Sequence, residues 1–419
     1  MGFFPYASRF FGFLKDSRTQ IARYPLRQTQ LIFQSLECSR TKEGIKLFYT
    51  ESEVITFINE SDIKFIRLAF CDIFGVQKNV SIMPSELPRA FETGISFDAS
   101  AIKGFGDESK SDLFLFPDPS TLSLLPWRPS HGRVVRFFCD IKYSDGSPFA
   151  LDGRYILKQA VAAAKQAGFL CNIGAECEFY LFKTDEDGNP TQIPFDNAGY
   201  MDIAPKDKGE NVRREICLSL EEMGILPESS HHEEGPGQNE IDFKYSNPLS
   251  SADNVITFQS VVKTIAFRNG LYATFRPKPL PDQSGNGLHI NLSPQKIGSP
   301  FCEQRYLDCF MAGIMNRICE ITAFLNPCAE SYRRLGTFKA PRYVSWSPQN
   351  RSHLIRIPAE KGEYSRIELR SPDSMANPYL AYALLIQAGL EGIQKGLLPG
   401  KPLHVNLYTA PEQVRAALK

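Results

Sequence analysis

The sequence predicts a two-part chain of mixed strands and helices, a small β-rich region followed by a larger domain in which strands and helices alternate. Three observations carry this. The length of 419 residues exceeds one ordinary domain. Short strand-like runs broken by Pro84, Pro88, Pro117, Pro119, Pro126 and Pro129 fill the first part up to about residue 140. Beyond it, amphipathic helical patterns are separated by strand-like segments. Alternation alone leaves α/β and α+β both open.

The elements follow in order. Residues 1–46 carry eight Lys/Arg against three Asp/Glu and few acidic breaks. They read as a poorly ordered or non-native N-terminal arm, with an organelle presequence as the alternative. DIKFIRLAFCDIFG reads as a strand with Ile66, Leu68 and Phe70 on one face, ending at a Gly75 turn. SDGSPFALDGR is a plausible linker. The expected boundaries are therefore an arm over 1–46, a β-rich domain over 47–145 and a larger domain over 146–419. In the last, Asp152 caps a helix with Ile156, Leu157, Ala160, Val161 and Ala164 at helical spacing, closed by Gly168. Further helices are expected from about Ala252 to Arg268, from about Arg305 to Leu325 and over LAYALLIQAGLEGI.

Composition excludes some function classes. Lys plus Arg equals Asp plus Glu at 47 each, so no global field recruits nucleic acid or an anionic membrane. No run of about 18 apolar residues is present. Ten cysteines without a CxxC pair suit reduced thiols and a cytoplasmic protein.

The informative charges sit inside strands. Glu176 and Glu178 in GAECEFYLF are two apart and share a face. Glu233 and Glu240 flank the Gly-Pro-Gly turn of HHEEGPGQNEIDF. His289 and Asn291 share a face in SGNGLHINLS, as do Arg366, Glu368 and Arg370 in RIELRSPD. Five carboxylates and one imidazole are a hard-cation donor set, suited to Mg²⁺ or Mn²⁺. Arginines beside them would hold phosphate or carboxylate through bidentate contacts. Together these suggest phosphoryl transfer at a solvent-accessible site. No Walker A motif or kinase glycine loop is present, so a nucleotide is held otherwise.

In order and spacing, GAECEFYLF, HHEEGPGQNEIDF, NPCAESYRRL, WSPQNRSHLIRIP and RIELRSPDSMANPYLAYALLIQAGLEGI resemble glutamine synthetase motifs, from about Ser61 to about Pro411. The resemblance implies an α+β fold, with a small β-grasp-like N-terminal domain and a large catalytic domain on a curved antiparallel sheet flanked by helices. It implies a ligase that phosphorylates the glutamate side-chain carboxylate with ATP and amidates it with ammonia. Two or more divalent cations per site are implied, one on Glu178, Glu233 and Glu240, another on Glu176, His289 and Glu368. Arg356 and Arg366 match phosphate-contacting arginines. Arg334, Arg351 and Arg370 match those around glutamate and the acyl phosphate. Gly285 matches a backbone contact to the amino acid, and Glu228 a nucleotide-side residue. Asp98 in FDASAI matches the aspartate that takes a proton from ammonium, reaching in from a neighbouring subunit of a homo-oligomer. Tyr200 matches a residue of the same pocket, and Asp112 is similar.

Three departures qualify these expectations. The flap segment RRLGTFKAPRY is one residue short and carries Lys339 where the family has Glu before Ala-Pro. Asn291 replaces a His usual two residues after the metal His. The sequence runs to Lys419, soon after NLYTAPEQV, where family members continue into helices of ring-to-ring contacts, so a dodecamer is not implied. Tyr408 matches a tyrosine adenylylated in some members. Lys339 reverses the flap's charge and would disfavour ammonium unless the shortened loop swings it away, which points to weak ammonia use or to a γ-glutamyl ligase for a larger amine. Asn291 and the short C-terminal part prompt a third reading, a weakly active regulatory paralogue.

Overall fold

Thr50 begins the described chain as a helix cap. Its hydroxyl accepts from Glu53 N at 3.2 Å while the Glu53 carboxylate accepts from Thr50 N at 2.7 Å, the reciprocal box that starts α1, Glu51–Glu60. The computed structural model describes residues 50–106, 109, 111–360 and 362–418, all belonging to one compact unit. The arm expected over residues 1–46 lies outside the described residues.

The first sheet holds β1 (Ile63–Cys71), β2 (Gln77–Ile82), β3 (Ile95–Asp98), β4 (Asp112–Pro117), β5 (Ser123–Leu124) and β6 (Arg133–Lys142). Its order is β2-β1-β6-β4-β3, with β5 on β6 and a parallel β1–β6 pair at the centre. Ile66 and Leu68 alternate inward as expected and pack with Val135, Phe137, Leu113 and Leu115. Val54 and Ile58 of α1, and Leu87 and Ala90 of α2 (Leu87–Glu92), close this core. Phe149, from the linker-like stretch, is buried in it as well.

Asp152 caps α3 (Gly153–Gln166), accepting from Arg154 N at 3.0 Å. Arg154 is buried and spreads its guanidinium over three carboxylates, Asp118 and Asp140 at 2.9 Å and Asp253 at 3.1 Å. Asp118 and Asp140 belong to the first sheet region and Asp253 to a helix of the second, so one buried fork ties the two regions together.

The second sheet holds β7 (Phe169–Thr184), β8 (Pro190–Pro194), β9 (Pro227–His232), β10 (Gln238–Ser246), β11 (Leu271–Thr274), β12 (Leu288–Lys296), β13 (Trp346–Pro348), β14 (Ile355–Ile357) and β15 (Ile367–Leu369). Its order is β13-β14-β15-β12-β7-β10-β9, with β8 and β11 on the far half of β7. Every pairing is antiparallel except β13–β14. The helices are α4 (Glu210–Glu222), α5 (Pro248–Arg268), α6 (Gln304–Leu325), α7 (Ala329–Arg334), α8 (Pro378–Lys395) and α9 (Glu412–Ala416). Where the sequence pattern suggests a start near Ala252, α5 begins four residues earlier, because Asn247 caps it and Pro248 fits the first turn. A Cβ on Gly313 would stand 2.1 Å from Ala388 O, so only glycine allows α6 and α8 to pack this closely.

Candidate active site

Strand register decides which charges meet. Across β9, β10 and β7, His231 faces Glu240, which faces Glu178. One row along, Ser229 faces Asp242, which faces Glu176, which faces His289 of β12. A third row runs from Asn291 through Glu368 of β15 to Arg356 of β14. Directly opposed residues project to the same side, so one face of the sheet is polar. The alternate residues Cys177, Phe179, Ile241, Phe243, Ile290, Ile367 and Leu369 lie in the large core under the helices.

Ligand atoms of Glu176, His289 and Glu368 lie within 4.8 Å of one another. Burial alone would raise the Glu176 carboxyl, but His289 Nδ1 at 3.2 Å and Asn291 Nδ2 at 2.9 Å bring it down to about 2. Glu368 is fully buried and pairs with Arg356 through one oxygen and Arg370 through the other. Burial would lift its carboxyl too, and Arg370 foremost keeps it below the ordinary range. Arg366 Nε donates to Asn291 Oδ1 at 3.0 Å, which brings Arg356, Arg366 and Arg370 to one edge of the acidic face. The Nε of Arg356 is buried without a hydrogen-bond partner, an open donor beside that edge.

A second acidic group stands on β9 and β10. Atoms of His231, Glu233 and Glu240 lie within 4.8 Å of one another. Glu178 faces Glu240 across the strands, and its Oε2 accepts from Gly287 N at 2.8 Å and Gln238 Nε2 at 3.1 Å. Glu178 is only 8% exposed, which corrects the expectation of a solvent-accessible ligand. Burial, then the charges of Asp242, Glu178, Glu176 and Glu233, hold Glu240 well above the usual carboxylate range. Burial and Glu176 push Asp242 up to about 6. A face with this surplus of carboxylates and mostly oxygen donors fits hard divalent cations.

The remaining expected residues fall around this face. A Cβ on Gly285 would lie 2.3 Å from Pro277 O and 3.0 Å from the Arg334 side chain, so glycine is required there. Arg334 is buried, donating to Ser371 O at 2.9 Å. Arg351 is exposed; its carbonyl accepts from Arg370 Nε at 3.1 Å and from the Tyr408 hydroxyl at 3.2 Å. Tyr200 packs edge-on to His231 with centroids 5.5 Å apart. Lys339 Nζ lies 2.5 Å from Glu234 and 5.2 Å from the Tyr200 ring centre. Glu228 is exposed on β9, at the irregularity between the Ser229 and Pro227 pairs. Asp98 ends β3 opposite Asp112 on the first sheet, exposed, with Ser100 Oγ donating to it at 2.6 Å. No contact among the described residues joins Asp98 to the acidic face of the same chain.

His231, Asp242 and Glu234 were missed by sequence reasoning. The period of two that exposes Glu240 also exposes Asp242, and it relates His231 to Glu233. Glu234 carries no such signal, because its partner Lys339 is brought to it only by the fold.

A polar sheet face with two carboxylate clusters and an edge of arginines suits divalent cations and phosphoryl groups. Comparison with known proteins is specific. The glutamine synthetase catalytic-domain family matches residues 150–419 and the glutamine synthetase beta-Grasp domain residues 62–144. A glutamine synthetase of Clostridium saccharobutylicum is 46% identical over 88% of this chain and 85% of its own length. One from Staphylococcus aureus is 42% identical over 89% and 86%. Among solved structures, GmaS in complex with ADP superposes with a TM-score of 0.78 at 30% identity, covering 87% of this chain and 86% of that one. Plasmodium falciparum glutamine synthetase gives 0.76 at 28% identity over 86% and 78%. The chain belongs to the glutamine synthetase family of ligases that form a carbon–nitrogen bond, with the family's β-grasp and curled-sheet domains and its use of ATP and divalent metal.

Proposed function

We propose that this chain makes glutamine from glutamate and ammonium, cleaving ATP to ADP and phosphate. The observation that carries this reading is the Glu176–His289–Glu368 cluster lying against Arg356, Arg366 and Arg370 on one sheet face. A carboxylate acylates an amine only after one oxygen becomes a good leaving group. The glutamate carboxylate oxygen attacks the γ-phosphorus and ADP departs. Ammonia then attacks the acyl carbon, and phosphate leaves with that oxygen.

In this reading Glu176, His289 and Glu368 would hold one Mg²⁺ or Mn²⁺, and Glu178, Glu233 and Glu240 another, with His231 within reach. Bound there, the cations would supply positive charge to neutralise the phosphate oxygens. Arg356 and Arg366 orient the transferred phosphoryl group, and the open Arg356 Nε supports that role. Arg334, Arg351 and Arg370 surround the glutamate, the Gly285 backbone approaches its amino acid end, and Glu228 lies on the nucleotide side. Asp98 takes the ammonium proton in the site of a neighbouring subunit, which requires a homo-oligomer, and Tyr200 lines that pocket. Residues 47–145 and 146–419 form the two domains of a cytoplasmic enzyme; no helix among the described residues is long and apolar enough to cross a membrane.

Lys339 does not oppose ammonium as an unpaired cation would. Two like charges about 4 Å apart cost roughly 4 kcal/mol at an effective dielectric of 20, but Glu234 at 2.5 Å cancels the charge of Lys339. This favours ammonia over the larger-amine reading. The purified chain with ATP, Mg²⁺, glutamate and ammonium is expected to form glutamine, ADP and phosphate in equal amounts. Turnover only with larger amines would replace this reading with a γ-glutamyl ligase.

A further inference from the structure

Lys339 and Glu234 are 105 positions apart, yet their charged groups meet at 2.5 Å, and three structures of the site converge on them. Glu234 adjoins Glu233 in the turn between β9 and β10, and its other oxygen accepts from Ser284 Oγ at 3.2 Å, next to Gly285. Lys339 rises from a loop that closes on itself, with Gly336 N donating to Ala340 O and Ala340 N to Thr337 O, both at 3.1 Å. Phe338 holds a left-handed φ of 52°, a conformation rare for a bulky residue. Its ring lies 4.2 Å from the Lys278 ammonium, which donates to Gln283 O at 2.5 Å. The ion pair therefore joins the loop after α7, the turn bearing Glu233 and the loop bearing Gly285, with the Tyr200 ring beneath the lysine.

We propose that the Lys339–Glu234 ion pair, braced by Tyr200, is a gate that sets the size of the amine admitted to the activated glutamate. The proposal rests on the reading of this cleft as a γ-glutamyl ligase site. The Lys339 side chain is 52% exposed and that of Glu234 31%, and pairs this wet are held weakly. The gate thus closes without sealing. Ammonia passes beside the closed pair, whereas an amine carrying an alkyl group must part it. With the pair broken, water reaches the acyl phosphate more freely, and phosphate is released without amide formation.

The test compares Lys339→Met, Glu234→Gln and the reversed pair Lys339→Glu with Glu234→Lys. Each single variant is expected to raise the ratio of ethylamine-dependent to ammonium-dependent product by about fivefold, the scale of a half-exposed pair. Each should also increase glutamate-dependent phosphate release without amine. The reversed pair is expected to return both towards the parent values. Trypsin cleavage after Arg342, which needs no turnover, should quicken in Glu234→Gln and not in the reversed pair. Unchanged amine ratios and unchanged cleavage in the single variants overturn the gate, as does a reversed pair that behaves like the single variants. Absence of glutamine formation by the parent chain bears instead on the ligase reading, and the cleavage comparison still decides the gate.

Discussion

Asn291 donates its side-chain amide to Glu176 at 2.9 Å, fixing a carboxylate that also meets His289. The same amide accepts from Arg366 at 3.0 Å, so one neutral residue couples the acidic cluster to the arginine edge. Groups that orient metal ligands from behind commonly matter by about 10- to 100-fold in metal affinity or activity. Asn291→Ala is expected to weaken Mg²⁺ dependence of turnover by that order, while Asn291→Gln recovers part of it. An Mg²⁺ titration of steady-state rate checks this, and an unchanged half-saturation with unchanged rate contradicts it.

Glu176 and Glu368 are expected to separate activity from stability. Glu176→Gln should abolish turnover and the Mg²⁺-induced rise in melting temperature, because a cation that binds only the folded state stabilises it by mass action. Glu368→Gln should do the same and in addition unfold earlier in urea. It leaves two guanidiniums at a fully buried site without their shared anion, and breaking a buried pair costs about 3–5 kcal/mol. Equal urea midpoints for the two variants would contradict the structural role of Glu368.

Arg366→Lys is expected to lower the maximal rate by more than tenfold with a smaller effect on glutamate KM. Lysine supplies the charge but not the planar fork that grips Asn291 on one side and leaves donors for a phosphoryl group on the other. Near-normal turnover would identify Arg366 as a structural partner of Asn291, Tyr364 and Glu360 only.

Asp152 gives a pH signature away from the acidic face. Burial pushes its carboxyl from 3.8 up to about 6, against the hydrogen bonds from Ile141 N and Arg154 N. The folded state therefore binds this proton more tightly than the unfolded chain. The stability it contributes is fully present below about pH 4 and is lost as pH rises through 6. Asp152→Asn removes that loss, so its stability relative to the parent should rise between pH 4 and 6 even though the cap is altered. A pH-independent difference in urea midpoint would contradict the assignment.

How much of this was legible in the sequence depended on separation along the chain. Glu176 with Glu178, and Glu368 with Arg366 and Arg370, sit on single strands, and a period of two is enough to place each set on one face. The α3 cap at Asp152 and the inward stripe of Leu157, Ala160 and Ala164 were equally local. Register was not legible: that Asp242 faces Glu176, or that Arg356 faces Glu368, follows only from how strands pair. Buried polar hubs were also invisible, since nothing in the pattern around Arg154 signals that Asp118, Asp140 and Asp253 will surround it. The setting of Lys339 was not legible either: its charge stood out as an obstacle to ammonium, while the carboxylate it pairs with lies in another turn.

The central claim is that the glutamate side-chain carboxylate is activated by phosphoryl transfer in this cleft. It is tested most directly with glutamate carrying ¹⁸O in both side-chain carboxylate oxygens, turned over with ATP, Mg²⁺ and ammonium. The account predicts one labelled oxygen in each phosphate released and the other retained in the amide of glutamine. Glutamine formed together with unlabelled phosphate would contradict it.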